Sequence, residues 1–62
     1  MKIDMKYKNE IVLLTTKFGQ KFIGRITDIG KDTVTLETDS ATLVMSMGFV
    51  TMIIHSPDKI GD

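Results

Sequence analysis

The sequence contains no cysteine and no tryptophan, and it has only one proline and one histidine. The absence of cysteine excludes disulfide bridges and thiolate metal sites, and His55 alone cannot build a histidine metal site within one chain. We therefore expect neither a metal nor another cofactor. A chain of 62 residues buries only about 60% of the surface that its unfolded form exposes. Self-association is then the remaining means of stabilising it.

Long apolar runs are also missing. No stretch reaches the roughly 18 to 20 apolar residues that a membrane span needs. Residues 1–10 alternate charged and apolar side chains, which does not resemble the apolar core of a signal peptide. These absences predict a cytoplasmic protein without a membrane partner.

Eight basic and eight acidic residues give the chain no net charge, which counts against non-specific nucleic-acid binding. The charges are unevenly distributed, however. Residues 1–31 carry seven basic and three acidic side chains, whereas residues 32–62 carry one basic and five acidic side chains. In an oligomer this arrangement would produce one basic face, and a well-solvated mixed surface is the alternative.

Segments rich in Val, Ile, Thr and Phe alternate with turn signals roughly 9 to 11 residues apart, the rhythm of a small all-β domain. The predicted strands are 11–16, 20–29, 32–38, 41–46 and 49–55. Residues 1–9 before them are an N-terminal arm, and residues 58–62 after them are a C-terminal tail. Period-two alternation favours an extended arm or strand for the first segment, although Ile3 and Tyr7 also have helical spacing.

Gly24 lies inside the longest predicted strand, between good strand formers. Glycine weakens a strand interior, so its presence there needs a reason. In a small five-stranded barrel one long strand must serve both sheets, and a glycine is where it can turn. We therefore predict that the second strand bends at Gly24.

Two segments are apolar on both strand faces, which predicts burial on both sides. Since one chain is too small to cover them, we expect a second copy to add through the sheet edge; an ordinary core with a few exposed apolar side chains is the alternative. The predicted oligomer interface comprises Leu43, Val44, Met45, Met52, Ile53 and Ile54. Among the methionines we assign Met52 to the core and Met47, beside Gly48, to an exposed loop.

The order of these elements resembles the Sm and Sm-like family, which includes the Hfq-type RNA chaperones. The first half matches in the turn at Gly19, in the stretch Phe22-Ile23-Gly24-Arg25-Ile26 and in the alternating strand that ends at Glu37. The second half matches over residues 43–54, where two short strands flank a tight loop. The resemblance covers residues 10–57.

This resemblance implies a strongly bent, five-stranded antiparallel SH3-like (Sm-like) barrel that forms rings by pairing strand four with strand five of the next subunit. It also implies single-stranded RNA binding by the loop after strand two and the loop between strands four and five. The corresponding residues here are Gly30, Lys31, Asp32, Ser46, Met47 and Gly48. The aromatic and cationic residues that the family carries in the second loop are absent, since Met45-Ser46-Met47 stands there.

Lys21 and Arg25 share one face of the second strand and complete the predicted nucleic-acid site. Phe18, at the tip of the first turn, is expected to pack inward under the N-terminal arm; stacking on a base and contact with a partner are the alternatives. For His55 we expect a structural or solvent-exposed role, because no acidic residue lies at a diagnostic spacing.

The sequence has no nucleophile–base pattern, which predicts a protein without catalytic activity. Together with the resemblance, this predicts a homo-oligomeric ring of about five to seven subunits. The ring would bind single-stranded nucleic acid, RNA in preference to DNA. A structural or adaptor ring that binds protein partners is the alternative.

Overall fold

The computed structural model describes residues 1–55 and shows one five-stranded antiparallel sheet. Its strands are β1 (Ile11–Thr16), β2 (Lys21–Ile29), β3 (Thr33–Glu37), β4 (Thr42–Ser46) and β5 (Val50–His55). Two short 3-10 helices, η1 (Met5–Tyr7) and η2 (Met47–Phe49), precede β1 and connect β4 to β5. All five predicted strands are present, and each end lies within one residue of its predicted position. The predicted tail of residues 58–62 and the last two residues of the predicted barrel lie outside the described residues.

The strands follow the order β4-β3-β2-β1-β5. The first four form a meander, and β5 returns to pair with β1 through Val12–Thr16. Within residues 1–55, β4 pairs only with β3, and β5 pairs only with β1. The all-β prediction is confirmed, but the sheet is not closed, and two strand edges remain unpaired within this part of the chain.

The core lies on one face of the sheet, because apolar side chains occupy alternate positions. Strand β1 alternates half-buried and fully buried residues along its whole length. The buried apolar side chains are Ile3, Val12, Leu14, Ile26, Val34, Leu36, Met47 and Val50. No helix among the described residues is long and apolar enough to cross a membrane.

The N-terminal arm contains one helical turn, so the alternative indicated by the spacing of Ile3 and Tyr7 is confirmed and the favoured extended arm or strand is wrong over Met5–Tyr7. Its central turn is η1, where the side chain of Asp4 accepts a hydrogen bond from the backbone N–H of Lys6 at 2.9 Å. Aspartate is favoured at the N-terminal cap of a helix, because its carboxylate accepts a hydrogen bond from a backbone N–H that has no partner within the helix. Ile3 is buried in the core, and the amino group of Met1 donates to the carbonyl oxygen of Met47 at 3.0 Å.

Strand β2 has two successive neighbours. Its first half, through Arg25, pairs with β1, and its second half, from Arg25 onward, pairs with β3. Gly24 lies beside this change of partner, where a Cβ atom would be 2.5 Å from the carbonyl oxygen of Glu37. Glycine is therefore required by the close approach of the β3 backbone. A register shift after Ile26 leaves Thr27 as a bulge, and bulges bend strands, so Thr27 is a bending position that the sequence did not reveal.

Candidate nucleic-acid interface

The two loops predicted to bind nucleic acid lie next to each other. The backbone N–H of Met47 donates to the carbonyl oxygen of Asp32 at 2.7 Å, and Thr33 pairs with Ser46 where β3 begins and β4 ends. The side chains of Lys31, Asp32 and Ser46 are exposed, as is Gly48, and Gly30 is half-buried. The structure thus brings together loop 30–32 and loop 46–48, which are distant in the sequence.

Met47 does not serve as an exposed contact in this chain. Its side chain is only 8% exposed and belongs to the core. The cause is the helical turn η2, which Ser46 caps by accepting a hydrogen bond from the backbone N–H of Gly48 at 3.2 Å. The expectation that Met47 is exposed in a loop is therefore wrong.

A third segment, the β1–β2 turn of residues 17–20, reaches the same region. The backbone N–H of Lys17 donates to the carbonyl oxygen of Phe49, the last residue of η2, at 2.9 Å. The rings of Phe18 and Phe49 meet edge to face, with centroids 5.4 Å apart and an interplanar angle of 67°. Turn 17–20, loop 30–32 and residues 46–49 therefore form one surface, which we call the loop surface.

Phe18 lies on this surface, although the site predicted from the sequence did not include it. Its side chain is 77% exposed, so the expectation that it packs inward is wrong. The signal that could have found it is an aromatic residue beside a turn glycine, with Lys17 and Lys21 close by in the sequence.

The β1–β2 turn is held by hydrogen bonds that keep Phe18 outside. The hydroxyl of Thr16, which is buried, accepts from the backbone N–H of Phe18 at 3.3 Å. The N–H of Gly19 donates to the carbonyl oxygen of Thr16 at 2.9 Å. Gly19 has φ = 82°, a left-handed conformation that glycine adopts without steric cost.

Lys21 and Arg25 lie on the outer face of β2 and are exposed, as predicted, with Ile23 between them. They do not share one location, however. Lys21 directly follows the β1–β2 turn and borders the loop surface. Arg25 lies where β2 changes partners, and its Nη1 donates to the carbonyl oxygen of Asn9 at 2.6 Å.

The register of β1 and β5 brings Glu10 to His55, a partner that sequence spacing did not indicate. The Nε2 atom of His55 lies 2.9 Å from Oε1 of Glu10, and both side chains are about half exposed. With Lys6 and Tyr7 they line a hollow of about 280 Å³. Across residues 1–55, no three acidic or histidine side chains converge as metal ligands would.

The six predicted interface residues divide into two groups by strand face. Leu43, Met45 and Ile53 are half-buried and pack against the core. The others point outward: Val44 is 67% exposed, and Met52 and Ile54 are each 46% exposed. The assignment of Met52 to the core is therefore wrong. Its position on β5, together with Val44 on β4, leaves exposed apolar side chains on both edge strands.

Comparisons with models of protein families, with curated proteins and with solved structures find no match for this chain.

Proposed function

We propose that the chain is the subunit of an Sm-like homo-oligomeric ring of about five to seven copies. The ring binds single-stranded nucleic acid on its loop surface, RNA in preference to DNA, and performs no catalysis. Each subunit is a small, strongly bent barrel that is completed by its neighbours.

The observation that carries nucleic-acid binding is the exposed ring of Phe18, which lies between the exposed residues Lys17 and Lys21. Aromatic side chains that stack on bases, combined with cations that follow the backbone, are the means by which single strands are bound without sequence preference. Here Phe18 stands in a turn fixed by hydrogen bonds, so little conformational entropy is lost on binding. Phe18 thereby supplies the aromatic that residues 45–47 lack.

The ring is supported by the two different free edges. Strand β4 and strand β5 are the ends of the sheet, and both carry exposed apolar residues. Pairing of unlike edges is a head-to-tail contact, which closes into a ring when the rotation per subunit permits. A ring repeats Lys17, Phe18 and Lys21 in every subunit, so weak contacts with one strand reinforce each other through effective concentration.

Fluorescence anisotropy with labelled oligo-U and oligo-A over a salt series tests this function. We expect affinity that falls with salt, and a Phe18→Ala variant that binds about 5- to 150-fold more weakly, the equivalent of about 1–3 kcal/mol for one stacked base. Lys21→Glu should weaken binding and flatten the salt dependence, since each phosphate contact contributes to the slope. Arg25→Glu is expected to have a smaller effect, because its guanidinium already binds Asn9.

Lys6→Glu is the matched charge control, because Lys6 is an exposed lysine that lies beside Tyr7, away from the β1–β2 turn. Equal losses for Lys6→Glu and Lys21→Glu would show that only overall charge matters and would refute the loop surface as the site. Light scattering tests the ring separately: a mass of 6.9 kDa at micromolar concentration would refute it.

One observation favours a second function, an adaptor ring that binds proteins. Ile23 is 66% exposed on the outer face of β2, and Leu13 and Ile54 continue the same row across β1 and β5. Exposed apolar side chains in a row are typical of protein contact surfaces. A ring that binds no oligonucleotide at low salt would favour this second function over the first.

A further inference from the structure

The first half of β2 has a neighbour on one side only. Strand β1 pairs with it from Lys21 to Arg25, but β3 ends at Glu37, opposite Arg25. Across the part of the chain that the structure describes, no strand pairs with the other edge of residues 21–24. This edge lies within the sheet's longest strand and is distinct from the β4 and β5 edges.

The backbone groups on this edge can be identified from the ladder. Thr16 N donates to Gln20 O, and Ile26 N donates to Glu10 O, so the even-numbered residues of β2 direct their backbone groups toward β1. In an antiparallel ladder, alternate residues direct theirs to the opposite side. The N–H and C=O groups of Lys21 and Ile23 therefore point away from β1, toward the unpaired edge.

A groove of about 740 Å³ lies along this edge. One wall is β2, from Ile23 to Arg25, together with Ile11 of β1 beside it. The other wall is the β3–β4 connection from Glu37 to Thr42, which includes the turn of residues 38–41. That turn is closed by its own hydrogen bonds, since Thr38 Oγ1 accepts from the backbone N–H groups of Ser40 and Ala41 at 3.3 and 3.1 Å. The turn therefore borders the edge without pairing with it.

The side chains along the groove specify the chemistry of an occupant. The exposed side chain of Ile23 lines the groove, and Gly24 has no side chain to obstruct a backbone. Lys21 precedes the groove on β2, two residues before Ile23, whereas Glu37 and Asp39 line its other end. Arg25 also lines that end, but its guanidinium is bound to the carbonyl oxygen of Asn9. A strand laid along the groove would need an apolar residue opposite Ile23, an acidic residue at the Lys21 end and a basic residue at the acidic end.

We propose that this groove binds an extended peptide segment of a partner protein as an added antiparallel strand. Its backbone pairs with Lys21 and Ile23, and its apolar residue lies beside Ile23. Strand addition of this kind takes its affinity from main-chain hydrogen bonds and its specificity from alternate side chains. The site goes beyond the ring and its nucleic-acid ligand, and it requires neither.

The test uses the ¹⁵N-labelled full chain and the acetylated, amidated pentapeptide KTVTE. With its valine opposite Ile23, its last four residues lie opposite Gly24 to Lys21, with glutamate at the Lys21 end. Its lysine lies beyond the free edge, because Glu37 already pairs with Arg25, and it extends toward the carboxylates of Glu37 and Asp39. In the free protein the amides of Lys21 and Ile23 should exchange with solvent faster than those of Phe22 and Gly24, which face β1. Addition of KTVTE should shift the Lys21 and Ile23 signals and slow their exchange. No shift at these amides at millimolar peptide would overturn the proposal.

Two modified peptides separate strand addition from loose apolar contact. A peptide with N-methylvaline in place of valine cannot donate to the carbonyl oxygen of Ile23, so it should bind at least about tenfold more weakly. The charge-reversed peptide ETVTK should bind about three- to tenfold more weakly, as expected for two exposed charge contacts. Equal binding of the N-methylated peptide would rule out strand addition, and equal binding of ETVTK would rule out recognition by charge.

A matched pair of variants completes the test. Ile23→Lys and Val44→Lys replace β-branched residues of nearly equal exposure, 66% and 67%. We expect the first to weaken KTVTE binding about tenfold and the second to leave it unchanged. If the amide of Ile23 is already protected in the free protein, and the protection rises with protein concentration, a second copy occupies the groove and the partner proposal fails. Because oligonucleotide binding is measured separately, failure of either function leaves the other standing.

Discussion

The two halves of β2 differ sharply in their neighbours, although both contain isoleucine and form one continuous strand. Ile23, in the first half, is 66% exposed, whereas Ile26, three residues later, is fully buried. Within residues 1–55 the first half pairs with β1 alone, whereas the second half lies along β3, with Ile26 in the core and Ile29 packed against it. The comparison teaches that strand propensity decides where β2 forms, while strand face and neighbour decide what each residue does.

The largest expected effect on stability is a difference between two alanine substitutions, one at Ile26 and one at Ile23. Ile26→Ala should lower the free energy of unfolding by about 2–5 kcal/mol, because it leaves a cavity in the core. Ile23→Ala should change it by no more than about 0.5 kcal/mol, as surface substitutions do. Urea denaturation of both variants at one protein concentration measures the difference. Similar losses would mean that Ile23 is buried in solution, for example by a second subunit.

A smaller effect is expected at the glycine between the two halves. Gly24→Ala should lower the free energy of unfolding by about 1–3 kcal/mol, since its Cβ would press on the backbone of Glu37. Gly48→Ala is the matched control, because its nearest contact would be Ser46 Oγ at 3.7 Å, an ordinary distance. Thermal unfolding followed by circular dichroism compares the two. A Gly24→Ala protein as stable as Gly48→Ala would contradict the close approach of β3 to β2.

The smallest effect is expected near Arg25, where the halves meet. Replacing Glu10 with glutamine removes the charge opposite His55, and the pair is exposed on both sides. We expect the free energy of unfolding to fall by less than about 1 kcal/mol, because contacts between exposed polar side chains contribute little. Urea denaturation of Glu10→Gln, of His55→Gln and of the double variant measures the coupling between the two side chains. A fall in the free energy of unfolding of more than about 2 kcal/mol would contradict this expectation. It would show that the contact between Glu10 and His55 helps to fix the register of β1 and β5.

Much of the fold could be predicted from the sequence, because each strand corresponds to a period-two pattern among neighbouring residues. The alternation of Thr33, Val34 and Thr35 predicts a one-sided strand, and the structure has β3 there. Turns at Gly19 and near Gly30 were equally readable, since turn residues act over a few positions. The conformation of the N-terminal arm was less predictable, because its alternating pattern fits both an extended chain and a helical turn. The cap formed by Asp4 stabilises the turn.

The candidate site was less predictable because it depends on contacts between distant segments. Loops 30–32 and 46–48 were predicted from the sequence. Their contact through Asp32 and Met47 was not, because it depends on the register of β3 and β4. The exposure of individual side chains was predicted least well. Met47 was expected to be exposed and is buried, whereas Phe18 was expected to be buried and is exposed. No local pattern distinguishes a buried turn residue from an exposed one.

The sequence by itself determined the class of the protein: all-β, five strands, no disulfide, and two segments with apolar residues on both faces. These features follow from local propensity and from the period-two pattern of strands. Only the tertiary structure decided which strand neighbours which, and with it the open edge of β2, the groove beside Ile23 and the meeting of Phe18 with Phe49. The physical reason is that backbone pairing joins residues far apart in the chain, and each such pairing fixes the exposure of every side chain along the two strands.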